Sequence, residues 1–179
     1  MAPSTLFSSL RLFVFCMACC GAVVFGAEDA VAETGDELLA RENLGGIKIG
    51  MSEKQLAPIL GKAVVQKNKP VYEAATGEHI HSWICAGKGL TIRMSSGEKP
   101  NGAKTVAAFT ASAKCPLATA KGIKIGSTKA DVVKAYGSFE DNELAKKDTF
   151  IAGSIYGGII FTFGKDGKVR EIFFGAAAE

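Results

Sequence analysis

The sequence predicts an α+β protein of two tandem repeats, each a short helical segment packed on a three- to four-stranded antiparallel meander sheet. Two observations lead to this prediction. The five-residue sequence Gly46–Gly50 (GIKIG) recurs unchanged at Gly122–Gly126. After each copy, the spacing of apolar residues changes from the 3.6-residue period of a helix to the two-residue period of a strand.

Composition limits the class of protein before any element is considered. The 179 residues are 47% hydrophobic and 22% charged, which excludes a disordered, collagen-like or coiled-coil chain. The formal net charge of +3 is too close to neutral to predict nucleic acid or an anionic membrane surface as the main partner. With only 2 histidines, the chain has little imidazole for metal or acid–base chemistry.

Residues 1–32 predict a secretory signal peptide. Arg11 precedes an apolar run at 12–27 that is shorter than the roughly 20 residues a membrane-spanning helix needs. The sequence Ala30-Val31-Ala32 matches a cleavage signal, so we expect the mature chain to begin at Glu33 and to be periplasmic or secreted. The alternatives are cleavage after Gly26, an uncleaved anchor, and lipidation at Cys19 or Cys20.

The remaining chain divides into a first repeat at 33–115 and a second at 116–179. Each repeat contains a capping box directly after its GIKIG segment, formed by Ser52 with Gln55 and by Thr128 with Asp131. Apolar residues at helical spacing follow, and a glycine then ends each helix, at Gly61 and Gly137. Another capping box predicts a short helix at about 35–43.

Three strands follow each of the two later helices. Short connections, among them the Asp166-Gly167 hairpin turn, require antiparallel pairing. The second set is apolar at nearly every position, which predicts cover on both faces of its sheet. The first repeat is the favoured cover, before the N-terminal segment or a partner protein. The predicted strands are 79–85, 90–94 and 105–111 in the first repeat, and 150–156, 159–163 and 169–174 in the second.

Over about 45–175 the chain resembles two related groups of proteins. They are the outer-membrane-assembly lipoproteins of the small-protein-A type and the secreted β-lactamase-inhibitory proteins, which carry such a unit twice. The resemblance implies a non-catalytic extracytoplasmic protein-binding module, with target-contacting residues on loops and exposed sheet faces. It is carried by Gly46–Gly50 with Ser52, Leu56 and Gly61, by Gly122–Gly126 with Thr128, Val132 and Gly137, and by Asp166-Gly167-Lys168-Val169.

Five side chains are candidate partner-binding anchors. Trp83 is the only tryptophan, a residue type enriched at interface hot spots. A two-residue turn at Gly87-Lys88 would place Trp83 opposite Ile92 and in the core, whereas a three-residue turn would expose it together with two of the other candidates. The remaining candidates are Tyr72 in a loop, Tyr156 at a strand end, and His81 and Arg93 on the strands of this hairpin.

Cys85 and Cys115 are the two cysteines left after signal removal, and an even pair in an oxidising compartment predicts a disulfide. Closing this loop of roughly 31 residues would stabilise the fold by about 3.7 kcal/mol on the chain-entropy model. The bridge requires the segment after Ala113 to curl back over the middle strand. The alternative is two buried free thiols.

The sequence contains none of the common catalytic or nucleotide-binding motifs G-x-S-x-G, H-E-x-x-H and G-x-x-x-x-G-K-[ST]. His79 and His81 share one strand face but lack a third ligand for zinc. We therefore expect no enzyme activity, catalytic residue, metal or cofactor.

The expected function is binding of another extracytoplasmic protein, in the manner of an inhibitor of the β-lactamase-inhibitory type. Alternatives are an envelope or outer-membrane assembly or structural factor, and a small-ligand carrier with a pocket between the repeats. Nucleic acid, a transmembrane span in the mature chain and a lipid anchor are not expected.

Overall fold

An antiparallel sheet of eight strands and three helices make up the part of the chain that the computed structural model describes, residues 35–141 and 147–177. The chain is therefore α+β, as predicted. The proposed signal peptide, both of its cleavage sites, Cys19 and Cys20 lie outside the described residues. No helix in the described ranges is long and apolar enough to cross a membrane.

The helices and strands lie close to their predicted positions. The helices are α1 (Gly35–Arg41), α2 (Glu53–Leu60) and α3 (Lys129–Tyr136). Single 3₁₀ turns occur at Ala86–Lys88 and Gly137–Phe139. The strands are β1 (Gln66–Lys67), β2 (Val71–Glu73), β3 (Glu78–Cys85), β4 (Leu90–Ser95), β5 (Thr105–Ala111), β6 (Thr149–Ser154), β7 (Gly157–Phe163) and β8 (Val169–Gly175).

The two predicted meanders join edge to edge. The sheet order is β1-β3-β4-β5-β8-β7-β6, and β2 also pairs with β3. At the junction, Phe109 lies opposite Phe174 and Thr110 lies opposite Phe173. The second meander therefore does not pack its face against the first, as the apolar pattern had suggested. Instead, the two extend one another through backbone hydrogen bonds, which the side-chain pattern of an isolated strand does not specify.

The two capping boxes predicted after the GIKIG segments are present, whereas Thr34, the first residue of the third, lies outside the described residues. The Ser52 Oγ accepts a hydrogen bond from the Gln55 backbone N–H, and the Gln55 side chain accepts one from the Ser52 N–H. Thr128 and Asp131 make the same reciprocal pair at the start of α3. Gly61 ends α2 with a positive φ of 56°. Gly137 directly follows the last residue of α3, as predicted, but its conformation is right-handed rather than left-handed and it begins a 3₁₀ turn.

The two GIKIG segments attach to the sheet through matching hydrogen bonds. The Gly50 N–H donates to the Val106 carbonyl, and the Gly126 N–H donates to the Val169 carbonyl, both at 2.8 Å. In return, the N–H groups of Val106 and Val169 donate to the carbonyls of Met51 and Ser127, again at 2.8 Å. These bonds fix the start of each following helix beside β5 or β8.

A single cluster of buried apolar side chains joins all three helices to one face of the sheet. Leu38 of α1, Leu56 of α2 and Tyr136 of α3 belong to this cluster. Its members on the strands include Trp83, Ile92, Phe109, Phe161, Ile172 and Phe174. Since the helices lie on this face, the alternate side chains of the strands point to the opposite face.

Candidate functional site

The face of the sheet opposite the helices carries a row of side chains that crosses six strands. Cross-strand register places them side by side, from β3 to β6. None of them belongs to the buried core cluster. We refer to this row as the open face; its members are Ile84, Thr91, Thr110, Phe173, Ile160 and Ile151.

The open face has the mixed exposure of a surface that can bind another protein. Thr91 is exposed, whereas Thr110, Phe173 and Ile160 are half-buried and Ile151 is buried. The apolar pattern of the second meander predicted cover on both faces; the first repeat, the favoured cover, leaves Ile160 and Phe173 half-buried. Half-buried aromatic and aliphatic side chains beside threonines provide apolar contact area and hydrogen-bonding groups together.

Arg93 lies on this same side of the sheet, one row away. Its guanidinium forms an ion pair with Glu73 of β2, and the two side chains are partly exposed. Nearby, the Ser95 hydroxyl donates to Glu78 at 2.7 Å. A shallow cleft of about 110 Å³ is lined by Arg93 and the two glutamates, together with Ile80 and Ala108. Arg93 is therefore held in one position, at the place where a partner on the open face would reach it.

Tyr72 and Tyr156 are exposed, and both lie at the end of the sheet nearest Arg93. Tyr72, on edge strand β2, is 58% exposed and its ring lies 5.2 Å from that of His79. Tyr156 is 71% exposed, in the turn between β6 and β7. That turn is ordered by the Ser154 hydroxyl oxygen, which accepts N–H groups from Tyr156 and Gly157 at 3.2 Å each.

Tyr72 does not share a face with the open row. It pairs with His79 of β3, and the two rings are in contact. Side chains of a strand alternate between faces, so His79 lies on the same side as His81 and Trp83. The ring of Tyr72 is therefore exposed on the helix side of the edge strand.

Trp83 is not an exposed anchor. Its side chain is 3% exposed and opposite Ile92, as in the core register considered above. The connecting segment, Ala86 to Gly89, is two residues longer than the predicted two-residue turn. One residue is added on each side of that turn, so Trp83 still lies opposite Ile92. The Lys67 ammonium covers the ring from the edge strand, with Nζ 3.9 Å from the ring centroid.

His81 also belongs to the interior rather than to a binding surface. It is 6% exposed, and its Nε2 lies 3.0 Å from the Ser96 hydroxyl oxygen. Burial lowers the pKa of the imidazole, and the nearby Lys104 lowers it further. Because β3 alternates between faces, His81 and Trp83 share the core side while Arg93 points to the open side.

Cys85 and Cys115 are free thiols, so the structure does not contain the predicted disulfide. The predicted curl of the chain is nevertheless present. The Ser112 N–H donates to the Gly89 carbonyl at 2.8 Å, and a Cβ added at Gly89 would lie 2.7 Å from the Cys115 nitrogen. Both thiols are buried, and burial raises the pKa of each. They form part of the core without a covalent link.

Two features of this surface were missed by sequence reasoning. The short strands β1 and β2, which form one edge of the sheet, lie in a segment of mixed residues with no two-residue period. The open face was missed because it depends on the pairing of β5 with β8. In the sequence, Thr91 and Thr110 are the polar residues that alternate with apolar ones on two predicted strands, and they alone indicated that one face of the sheet is not packed.

No protein-family model matches this chain, and neither a curated protein sequence nor a solved structure matches it.

Proposed function

We propose that the protein is a non-catalytic, extracytoplasmic binding module that contacts another protein through the open face. The observation that carries this proposal is the asymmetry of the sheet. One face is packed by three helices, whereas the other presents Thr91, Thr110, Ile160 and Phe173 beside Arg93. A broad, shallow surface of apolar and hydrogen-bonding groups is typical of protein recognition.

We also propose that the fold is a duplicated unit. The identical GIKIG segments, the two capping boxes and the matching hydrogen bonds to Val106 and Val169 support this proposal. Antiparallel pairing between the last strand of each meander, β5 and β8, is the arrangement expected if the units are related by an approximate twofold axis. Duplication would explain how a chain of this size acquires a binding surface that spans six strands.

Packing at the junction argues for a binding module rather than a small-ligand carrier. A carrier would need a cavity between the two units. The core at the junction is instead filled by Phe109 and Phe174, whose rings stack with centroids 4.6 Å apart. An inhibitor and an assembly factor both remain within the proposal, because each would use the same surface to bind a folded protein.

Export is part of the proposal, and the sequence of residues 1–32 supports it. We propose a mature protein that begins at Glu33 in the periplasm or outside the cell. Mass spectrometry of the native protein tests this directly. Recovery of intact Met1, or of a lipid-modified Cys19 or Cys20, would contradict it.

Site-specific photo-cross-linking tests the binding face. A photoreactive phenylalanine analogue is placed at Thr91 or Phe173 in the chain, which is then expressed in the organism of origin. The matched controls place the same analogue at Lys54 or Val133, exposed positions on the helices. We expect adducts with one protein from the open-face positions only. Equal adducts from the helical positions, or none from the open face, would overturn the proposal.

A further inference from the structure

A positively charged cleft lies at the end of the sheet remote from Tyr72 and Tyr156, where β7 turns into β8. Its volume is about 680 Å³. Four cationic side chains line it, and Asp148 is the one carboxylate among its described lining residues. We refer to it as the basic cleft; its cations are Lys129, Lys147, Lys165 and Arg170.

The charge of the basic cleft is not neutralised by the described part of the chain. None of its four cations forms an ion pair with another residue in 35–141 or 147–177. Two cations outside the cleft do form ion pairs within the described residues, Lys67 with Glu53 and Arg93 with Glu73. Cations gathered in a concavity repel one another and focus a positive potential there, which attracts anions.

The cations of the basic cleft are held on ordered backbone. In the β7–β8 turn, the Gly164 N–H donates to the Lys168 carbonyl at 2.8 Å, and the Gly167 N–H donates to the Gly164 carbonyl at 3.0 Å. The Gly167 carbonyl then accepts the N–H of Lys129, at the start of α3, at 3.2 Å. One turn therefore brings the backbone of Lys165 and that of Lys129 together beside the cleft.

An aromatic side chain lies at the base of the cleft. Phe163 is 4% exposed, and Lys129 Nζ is 5.7 Å from the centroid of its ring. The ring gives the cleft an apolar floor beneath its charged rim. A ligand with acidic groups and short aliphatic stems would match both parts.

We propose that the basic cleft binds an acidic peptide segment, rich in Asp and Glu, of a protein partner. The cleft has the volume of a site for an extended ligand, and is far larger than a single small anion would need. This site is separate from the open face, so the inference rests on the proposed function only in taking the ligand to be part of a protein.

The side chains that line the cleft favour a peptide over an anionic membrane as its ligand. Proteins that lie on membranes combine basic groups with apolar side chains that insert among the lipids. The aromatic ring in this cleft, Phe163, is buried and cannot insert. Among the described residues, the exposed large hydrophobic side chains, such as Tyr72 and Val133, do not line it.

The test measures binding of a fluorescent ten-residue glutamate peptide to the purified mature protein by anisotropy at low salt. The first variant carries Lys129→Gln, Lys165→Gln and Arg170→Gln. A matched control carries Lys54→Gln, Lys69→Gln and Lys114→Gln, which remove the same charge from exposed positions outside the cleft. A ten-residue glutamine peptide and phosphatidylglycerol vesicles complete the set of probes.

We expect the glutamate peptide to bind and the glutamine peptide not to bind. The cleft variant should lose about tenfold in affinity and the control variant less than about twofold. Equal losses in both variants would show attraction by net charge alone and overturn the proposal. Absence of peptide binding, or cleft-dependent binding to the vesicles only, would also overturn it. The proposed function would survive each of these results, because photo-cross-linking at Thr91 tests it independently.

Discussion

The ring of Phe109 stacks on the ring of Phe174, with centroids 4.6 Å apart and planes inclined by 18°. These residues are direct neighbours across the β5–β8 junction. Both are buried in the cluster that packs under the helices. The stack therefore lies where the two meanders become one sheet, and the open face on the other side depends on the continuity of that sheet.

Replacing Phe109 with Ala should reduce the free energy of unfolding by about 3–5 kcal/mol, because the change leaves a cavity under the junction and removes the ring contact. Chemical denaturation measures this change. The matched control is Tyr156→Ala, which shortens a 71% exposed aromatic side chain and should cost less than about 1 kcal/mol. Similar values for the two variants would contradict the role of the junction.

Protonation of His81 should make the protein less stable in weak acid. Burial lowers the pKa of this imidazole below its ordinary value of 6.5. The unfolded chain therefore binds a proton at pH values where the folded chain does not. The free energy of unfolding is therefore unaffected by His81 above about pH 6.5. It declines as the pH falls from there towards the pKa of His81 in the folded protein.

Urea denaturation between about pH 5 and 8 measures that decline, with His81→Gln as the comparison. The variant should lack the part of the slope between about pH 6.5 and the folded pKa. Glu53 and Asp131 have lowered pKa values because of hydrogen bonds from Lys67 and Thr128. Their contributions to the free energy of unfolding are lost only at lower pH, below the ordinary pKa values of these carboxyl groups. Identical slopes for wild type and variant would refute the assignment to His81.

The thiols of Cys85 and Cys115 should be protected in the folded protein. Both are buried, and their raised pKa values reduce the thiolate fraction that reacts with disulfide reagents. The protein is first reduced, and the reductant is then removed. We expect the two thiols to react with a disulfide reagent only as fast as the protein unfolds. Adding denaturant should release both thiols at once. Rapid labelling of either cysteine in the native state would contradict their buried positions.

Local features of this fold were predictable from the sequence, whereas its assembly was not. The capping boxes at Ser52 and Thr128 and the main strands follow from side-chain chemistry and apolar period within a few residues. The pairing of β5 with β8 joins edges that are distant in the chain, and no local pattern specifies such a partner. The open face could not be identified without that pairing.

Individual residues show the same limit on what can be predicted from the sequence. The face occupied by Trp83 depended on the length of one hairpin loop, and two registers were compatible with the sequence. Gly137 has the residue type of a helix end, but the chain continues through it in a right-handed conformation. The basic cleft gathers Lys129 and Arg170 from separate elements, so their charges are dispersed in the sequence and adjacent only in the fold.

The central claim, that a protein partner docks on the open face, is tested most directly by a double charge substitution there. The variant Thr91→Arg with Thr110→Arg places two cations in the row without removing core side chains. We expect it to unfold at a temperature close to that of the wild type. Recovery of the partner protein identified by cross-linking should fall at least about tenfold, because buried unpaired charge is costly at an interface.

The matched control is Ala57→Arg with Val133→Arg, which adds two cations to exposed positions of α2 and α3. The measurement is the amount of partner co-purified with each folded variant. The account predicts recovery equal to wild type for this control and a loss for the open-face variant. Full recovery with a folded Thr91→Arg, Thr110→Arg protein would contradict it.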